Sequence, residues 1–194
     1  MANKNVTKKK SLIERYINAH IKNFDLLNFE EIENLIYEIK KTVSLGGIIY
    51  TCGNGGSAYN ASHFVTDWNK FISKKIKKFR SISLCDNLGI ITATGNDTSY
   101  ENIFVDQLKT FYNKKDLLIC ISGSGNSKNL IKAVNYVKYN NGKAFSLVGF
   151  NGGMLKKISN FVIHVRSFDM QVCEDSHLMI GHIVMKTLSK INVK

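Results

Sequence analysis

His63 and Asp67 stand four residues apart in the stretch "SHFVTDW". If that stretch is helical, both side chains lie on one face. An imidazole and a carboxylate so placed can share a metal ion, or the carboxylate can act as a base beside the imidazole. For an isolated pair, a structural His–Asp hydrogen bond is the alternative. Just before them comes "GNGGSA", residues 53–58. Its glycines permit positive φ and a close approach of the backbone to a ligand. The N–H groups at the start of the following helix favour an anion, and Ser57 adds a hydroxyl. The string is not a GxGxxG dinucleotide fingerprint, and no phosphate-loop lysine follows it. A second loop, "SGSGNS" at 122–127, repeats the design with Ser122, Ser124 and Ser127. One such loop is weak evidence; two, each between a strand and a helix, point to a phosphorylated small molecule. Near the C-terminus, "CEDSHLMIGH" sets Glu174, Asp175, His177 and His182 on an otherwise apolar segment. Buried without partners they would be costly, so they are either exposed or part of a site. Spacing alone does not say which of the four converge.

The elements that must position these residues are legible in the apolar pattern. Helical spacing predicts helices over 8–24 and 29–44, the second stopped by Gly46 and Gly47. Short apolar runs predict strands at 48–52, 81–84, 116–122, 143–150 and 161–165. Helices are expected at 57–70, 87–95, 100–112, 128–140, 153–158 and 169–190. The alternation gives an α/β chain: a three-layer αβα sandwich around a five-stranded parallel sheet. The expectation is one domain over 1–194, with N-terminal helices in 1–45, an α/β core in 46–168 and a C-terminal helix in 169–194. Ligands of such sheets bind beyond the carboxyl ends of the strands, at the topological switch. Both Gly/Ser loops should therefore face one crevice.

Composition bounds the rest. The chain has 194 residues, 44% hydrophobic and 22% charged, enough for one domain with a substantial core. No apolar run is long enough to span a bilayer, and no signal-like apolar stretch follows the basic N-terminus. A cytoplasmic protein without a membrane partner is expected. The net charge is +12, and "KFISKKIKKFR" holds six basic residues between Lys70 and Arg80. Attraction of phosphates is one reading, a solvated lysine-rich loop the favoured one; no helix-turn-helix, RNA-recognition or zinc-knuckle pattern supports nucleic acid. Cys52, Cys85, Cys120 and Cys173 show no metal-site spacing, and they are expected as free, mostly buried thiols.

Taken together, "GNGGSAYNASHF", "TATGNDTSYENIF", "ISGSGNSKNL" and "EDSHLMIGHI" resemble the sedoheptulose 7-phosphate isomerases (phosphoheptose isomerases) of the sugar isomerase (SIS) domain superfamily, over about residues 12–190. The resemblance implies a flavodoxin-like sandwich and a homotetramer with active sites between subunits. It implies one zinc ion per subunit, held by His63, Asp67, Glu174 and His182. Asp67 would be the catalytic base and His182 its acid/base partner. Ser57, Ser122, Ser124 and Ser127 would fix the phosphate, while Asn54 and Asp97 orient sugar hydroxyls; Gly55, Gly56, Asn96, Gly123 and Glu174 complete the substrate contacts. Two positions depart from the family pattern. Asp67 is one methylene shorter than the usual Glu, and Glu174 replaces a Gln and adds a negative charge. The implied activity is conversion of sedoheptulose 7-phosphate to D-glycero-D-manno-heptose 7-phosphate, the entry to activated heptose for lipopolysaccharide, capsule or glycoprotein glycans. The alternatives are a non-catalytic tetramer of the replication-initiator-regulator type, which binds a partner protein, and an isomerase of another phosphosugar.

Overall fold

The computed structural model describes residues 11–190; the first residues of the helix expected over 8–24 and the last four of the chain lie outside that range. In chain order the elements are α1 (Leu12–Asp25), α2 (Phe29–Ser44), β1 (Ile49–Gly53), α3 (Gly56–Asp67), β2 (Ser81–Ser83), α4 (Leu88–Asp97), α5 (Val105–Phe111), β3 (Leu117–Ser122), α6 (Lys128–Tyr139), β4 (Lys143–Val148), α7 (Gly153–Ile158), β5 (Phe161–His164) and α8 (Met170–Ser189). The five strands form one all-parallel sheet in the order β2-β1-β3-β4-β5. That order reverses between β1 and β3, which is the switch point of a flavodoxin-like sheet. The two Gly/Ser loops leave the carboxyl ends of these two strands.

Side-chain alternation along β3 builds both cores. Leu117, Ile119 and Ile121 face the layer of α2, α3 and α8, where they meet Leu35, Ile39, Phe64, Trp68 and Ile180. Leu118 and Cys120 face the opposite layer and meet Leu108, Leu130, Val134 and Leu155. The end of α2 shows why two glycines follow it. Gly46 takes φ +71°, its N–H bonds the Val43 carbonyl, and the Gly47 N–H bonds the Thr42 carbonyl. This is the paired 5→2 and 6→1 closure that needs a left-handed residue.

Two expected helices differ in detail. The one expected over 100–112 is a 3₁₀ turn at Tyr100–Asn102 followed by α5. Ile103, Phe104 and Val105 are all buried, and three consecutive residues fan through about 200° on a helix, so one straight helix could not bury them together. The helix expected to reach residue 70 instead passes from α3 into a π turn, Trp68–Ile72; Trp68 and Ile72 are both fully buried there. The basic run ends in turns after Ile72, with all six of its cations exposed. Cys52, Cys120 and Cys173 are buried, Cys85 is partly exposed, and all four are free.

The N-terminal helix has the predicted amphipathic spacing, yet its stripe finds no cover among the described residues. Leu12, Ile13, Tyr16, Ile17, Ile21 and Phe24 all stay exposed. Only Asn23 of α1 is buried, bonded through Nδ2 to Ser176 Oγ at 2.8 Å. No described helix is long and apolar enough to cross a membrane.

His177 is a costly residue to bury in the core. It is fully buried, and neither ring nitrogen has a hydrogen bond of standard geometry. Burial pushes its pKa from 6.5 down to about 4, and a weaker contact with the Val148 carbonyl raises it back only in part. Between pH 6.5 and 4 the unfolded chain therefore binds the proton that the folded chain refuses. Stability falls as pH drops through that window, by about 3 kcal/mol in total. Melting curves of wild type and His177→Leu across this range should diverge, the wild type losing more stability towards acid. Parallel curves would contradict the assignment.

Candidate active site

The first loop turns at Gly55, whose φ of +54° and ψ of −127° suit glycine, and α3 begins at the next residue. Gly56 matters for a different reason: it leaves room for the Glu174 carboxylate from α8, which a Cβ there would push aside. In the second loop Gly125 takes φ +66° and presses on the Gly152 carbonyl. The loop is held in shape by its own side chains: Ser122 Oγ accepts from the Gly125 N–H and Ser124 Oγ from the Asn126 N–H. Asn126 Oδ1 in turn accepts from the Met154 N–H at 2.9 Å, so the β4–α7 turn buttresses the cradle.

Between the loops lies a cavity of about 270 Å³, lined by Asn54, Gly55, Gly56, Ser57, Ser122, Gly123, Ser124, Ser127 and Glu174, with Ile121 and Met170. No lysine or arginine is among them. Its donors are hydroxyls, one amide and helix N-termini. Among the described helices of ten or more residues, α1, α2, α4 and α8 are each capped by a side chain, from Ser11, Asn28, Asn87 and Asp169. The two that open on the cavity, α3 and α6, have none; even Ser127, a capping residue by type and position, leaves its hydroxyl unused. In α6 the Leu130 N–H is taken by Asn129 Oδ1 at 2.9 Å; the first-turn N–H groups that no side chain takes attract an anion.

The α3 and α8 helices run side by side in the same direction. Glu174 stands over Gly56, the Asn60 amide donates to the Glu174 carbonyl at 2.9 Å, and Trp68 Nε1 donates to the Gly181 carbonyl at 3.0 Å. At the far end this brings His182 to His63. Their Nε2 atoms are 3.0 Å apart, and Asp67 Oδ2 is 3.4 Å from the first and 3.6 Å from the second. Nitrogen and oxygen ligands about 2.0–2.1 Å from a tetrahedral ion would lie roughly 3.3–3.4 Å apart, and the three observed separations bracket that value. The trio therefore fits a divalent cation such as zinc, with one coordination position left over. The side chains are 47% (His63), 20% (Asp67) and 40% (His182) exposed, so a substrate can reach them.

The residues 14–149 match the family described as the SIS domain. The chain is 35% identical over 161 residues to a phosphoheptose isomerase of Helicobacter pylori strain P12, spanning 83% of this chain and 84% of that one. It is 34% identical over 161 residues to the phosphoheptose isomerase of Clostridium acetobutylicum, at 83% and 82% coverage. The chain belongs to the phosphoheptose isomerase family of SIS-domain proteins. The solved phosphoheptose isomerase of Francisella tularensis superposes with a TM-score of 0.83 at 26% identity, over 92% of this chain and 94% of that one.

Within this phosphoheptose isomerase family member, the expected site residues fall into three groups. Asn54, Gly55, Gly56, Ser57, Ser122, Gly123, Ser124 and Ser127 share the cavity as expected. Of the four expected metal ligands, His63, Asp67 and His182 converge. Glu174 is not gathered with them: it precedes His182 by eight residues of α8, about 12 Å of helix rise, and its carboxylate lines the cavity over Gly56. Asn96 and Asp97 do not line the cavity either. They sit exposed at the end of α4, where Asn96 Nδ2 donates to Asp97 Oδ1 at 2.8 Å. Sequence reading also passed over Asn129 and Tyr100, which bond to Asn54; the signal was an asparagine two residues past the second loop.

The close approach of α3 and α8 rests on Gly181, where a Cβ would strike the Phe64 ring. The ring is buried and stacked on Trp68, with centroids 5.0 Å apart, and has little room to retreat. Gly181→Ala should lower stability by about 1–3 kcal/mol, the usual cost of overpacking. It should also separate His63 from His182 and lower metal affinity. Denaturant melts alongside metal titration check both, and an unchanged metal affinity would show that the helices do not need this contact.

Proposed function

We propose that the protein is an aldose–ketose isomerase that converts sedoheptulose 7-phosphate to D-glycero-D-manno-heptose 7-phosphate, feeding heptose into surface glycans. The observation that carries this reading is the convergence of His63, Asp67 and His182 at the far end of the helix pair whose near end forms the phosphate cradle. Isomerisation moves a proton between C1 and C2 through an enediol, so it needs a base that returns the proton and a second group serving the two oxygens. In this reading Asp67 is that base and His182 moves protons on the oxygens, which the convergence of the two side chains supports. Ser57, Ser124 and Ser127 bind the phosphate with the open N-termini of α3 and α6. A zinc ion held by His63, Asp67 and His182, when bound, supplies Lewis-acid polarisation of the C1 and C2 oxygens.

Two further features belong to the proposal. The uncovered stripe of α1 supports a homotetramer, since an apolar face of this size asks for a partner surface. Assembly would also give Asn96 and Asp97, which lie away from the cavity of their own chain, a neighbouring site to enter. Four free cysteines support a cytoplasmic location.

A coupled assay with sedoheptulose 7-phosphate tests the reaction, and elemental analysis tests the metal. Wild type should turn over and carry about one zinc per chain. His182→Ala should stay folded by circular dichroism while losing the metal and nearly all turnover. A metal-free, inactive wild type would instead favour the partner-binding alternative. For the cradle, Ser127→Ala should weaken substrate by about 1–3 kcal/mol, read as a raised KM; unchanged KM in both Ser127→Ala and Ser124→Ala would remove the phosphate from this loop. For assembly, Ile17→Asp should break the oligomer into smaller species in sedimentation and lower activity. A native-sized oligomer in that variant would mean that α1 is not the contact.

A further inference from the structure

Asn54 enters the cavity from the first loop, but its amide is oriented from outside that loop. Asn129, in the first turn of α6, is 3% exposed. Its Oδ1 accepts the Leu130 backbone N–H at 2.9 Å. A backbone N–H can only donate, so this bond fixes which end of the Asn129 amide is oxygen. The opposite end, Nδ2, therefore faces Asn54 and must find an acceptor. It donates to Asn54 Oδ1 at 2.8 Å, while Asn54 Nδ2 donates back to Asn129 Oδ1 at 3.0 Å. The Tyr100 hydroxyl donates to the same Asn54 Oδ1 at 2.9 Å. Tyr100 is more than half exposed, yet it is not loose. The neighbouring Glu101 pairs with Lys128 at 3.1 Å and Lys132 at 2.9 Å, and Lys132 also donates to Asn102 at 3.1 Å, all latching the 3₁₀ turn to α6.

The count of donors and acceptors is then complete. Both lone pairs of Asn54 Oδ1 are taken, and one Nδ2 hydrogen is taken. What remains is one N–H. We propose that Asn129 is a positioning residue that, with Tyr100, locks Asn54 as a donor-only group, so that the joint between the two loops accepts an oxygen lone pair of the phosphorylated substrate. The lock also ties the first loop to the start of α6, so the two halves of the cradle are pre-set relative to each other before substrate arrives. The inference rests on the phosphate-cradle reading given above.

The test uses the full-length, metal-loaded protein with two readouts: the KM and kcat for sedoheptulose 7-phosphate, and the dissociation constant of inorganic phosphate. Asn129→Asp keeps an acceptor for the Leu130 N–H and places a negative charge at a helix start, which holds the fold; it removes only the donor to Asn54. KM and the phosphate constant should rise together by about tenfold or more, the effect of one hydrogen bond to a charged ligand, with kcat within about twofold, the pattern of uniform binding loss. Tyr100→Phe, which adds no charge, should raise both by a smaller factor without moving the melting temperature. In an Asn54→Ala background neither change should have any further effect, because both act through that amide. If Asn129→Asp still weakens phosphate in that background, the new charge acts directly and the proposal fails. It also fails if both variants bind phosphate like wild type, or if they lose kcat and melting temperature with KM unchanged. A wild type that binds phosphate but does not turn over the sugar would overturn the substrate and leave the lock to be judged on phosphate alone.

Discussion

The contact between α3 and α8 sets the distance on which the chemistry depends. Trp68 hydrogen-bonds the Gly181 carbonyl and Phe64 lies where a side chain at 181 would be. Because the two helices run in the same direction, one close contact propagates along both. It puts Glu174 over Gly56 at the start and His182 against His63 further on. A looser pairing would leave two histidines and an aspartate as ordinary surface polar groups. A π turn follows directly after Asp67, and in it Trp68 and Ile72 are both buried where the helix meets the core.

The cradle works by a different principle. It has no cation of its own, although the chain carries 27 lysines and arginines. The basic residues lie elsewhere, and the lysine-rich run after α3 stays in solvent. In the function proposed above, neutral donors that are fixed in direction would recognise a phosphate by geometry, with the helix termini adding partial positive charge. Glu174 adds a carboxylate to this set. Its backbone carbonyl is held by Asn60, so its placement is anchored, and it separates this chain from a purely neutral cradle.

The strands, the two loops and the i,i+4 pair were legible in the sequence because each is a local pattern. β3 reads as an unbroken apolar run since both faces of the sheet are covered, and the loops read as Gly/Ser strings since the backbone geometry demands them. What was not legible is set by tertiary packing. Nothing local in "YENIFVDQLKTFY" announces that Ile103, Phe104 and Val105 must all be buried and so break the helix. The periodicity of α1 announced a helix but not that its apolar stripe would go uncovered by the other described residues. Through the family resemblance Glu174 was expected both as a metal ligand and as a substrate contact; the helix rise between it and His182 keeps its carboxylate from the metal trio and leaves it at the cradle. Asn129 was passed over because an asparagine in a helix's first turn has ordinary local uses, and its bond to Asn54 spans 75 residues of sequence.

The missing caps on α3 and α6 have one more consequence. A protein built only to be stable would close those helix starts with a side chain, as it does on four of its other helices. Here the two helices that open on the cavity go without one, each omitted cap forgoing about 1 kcal/mol. If the proposed phosphate docks there, its oxygens take the place those caps would have held. Evolution or design that stiffened this region by restoring caps would make a hardier protein and a poorer catalyst.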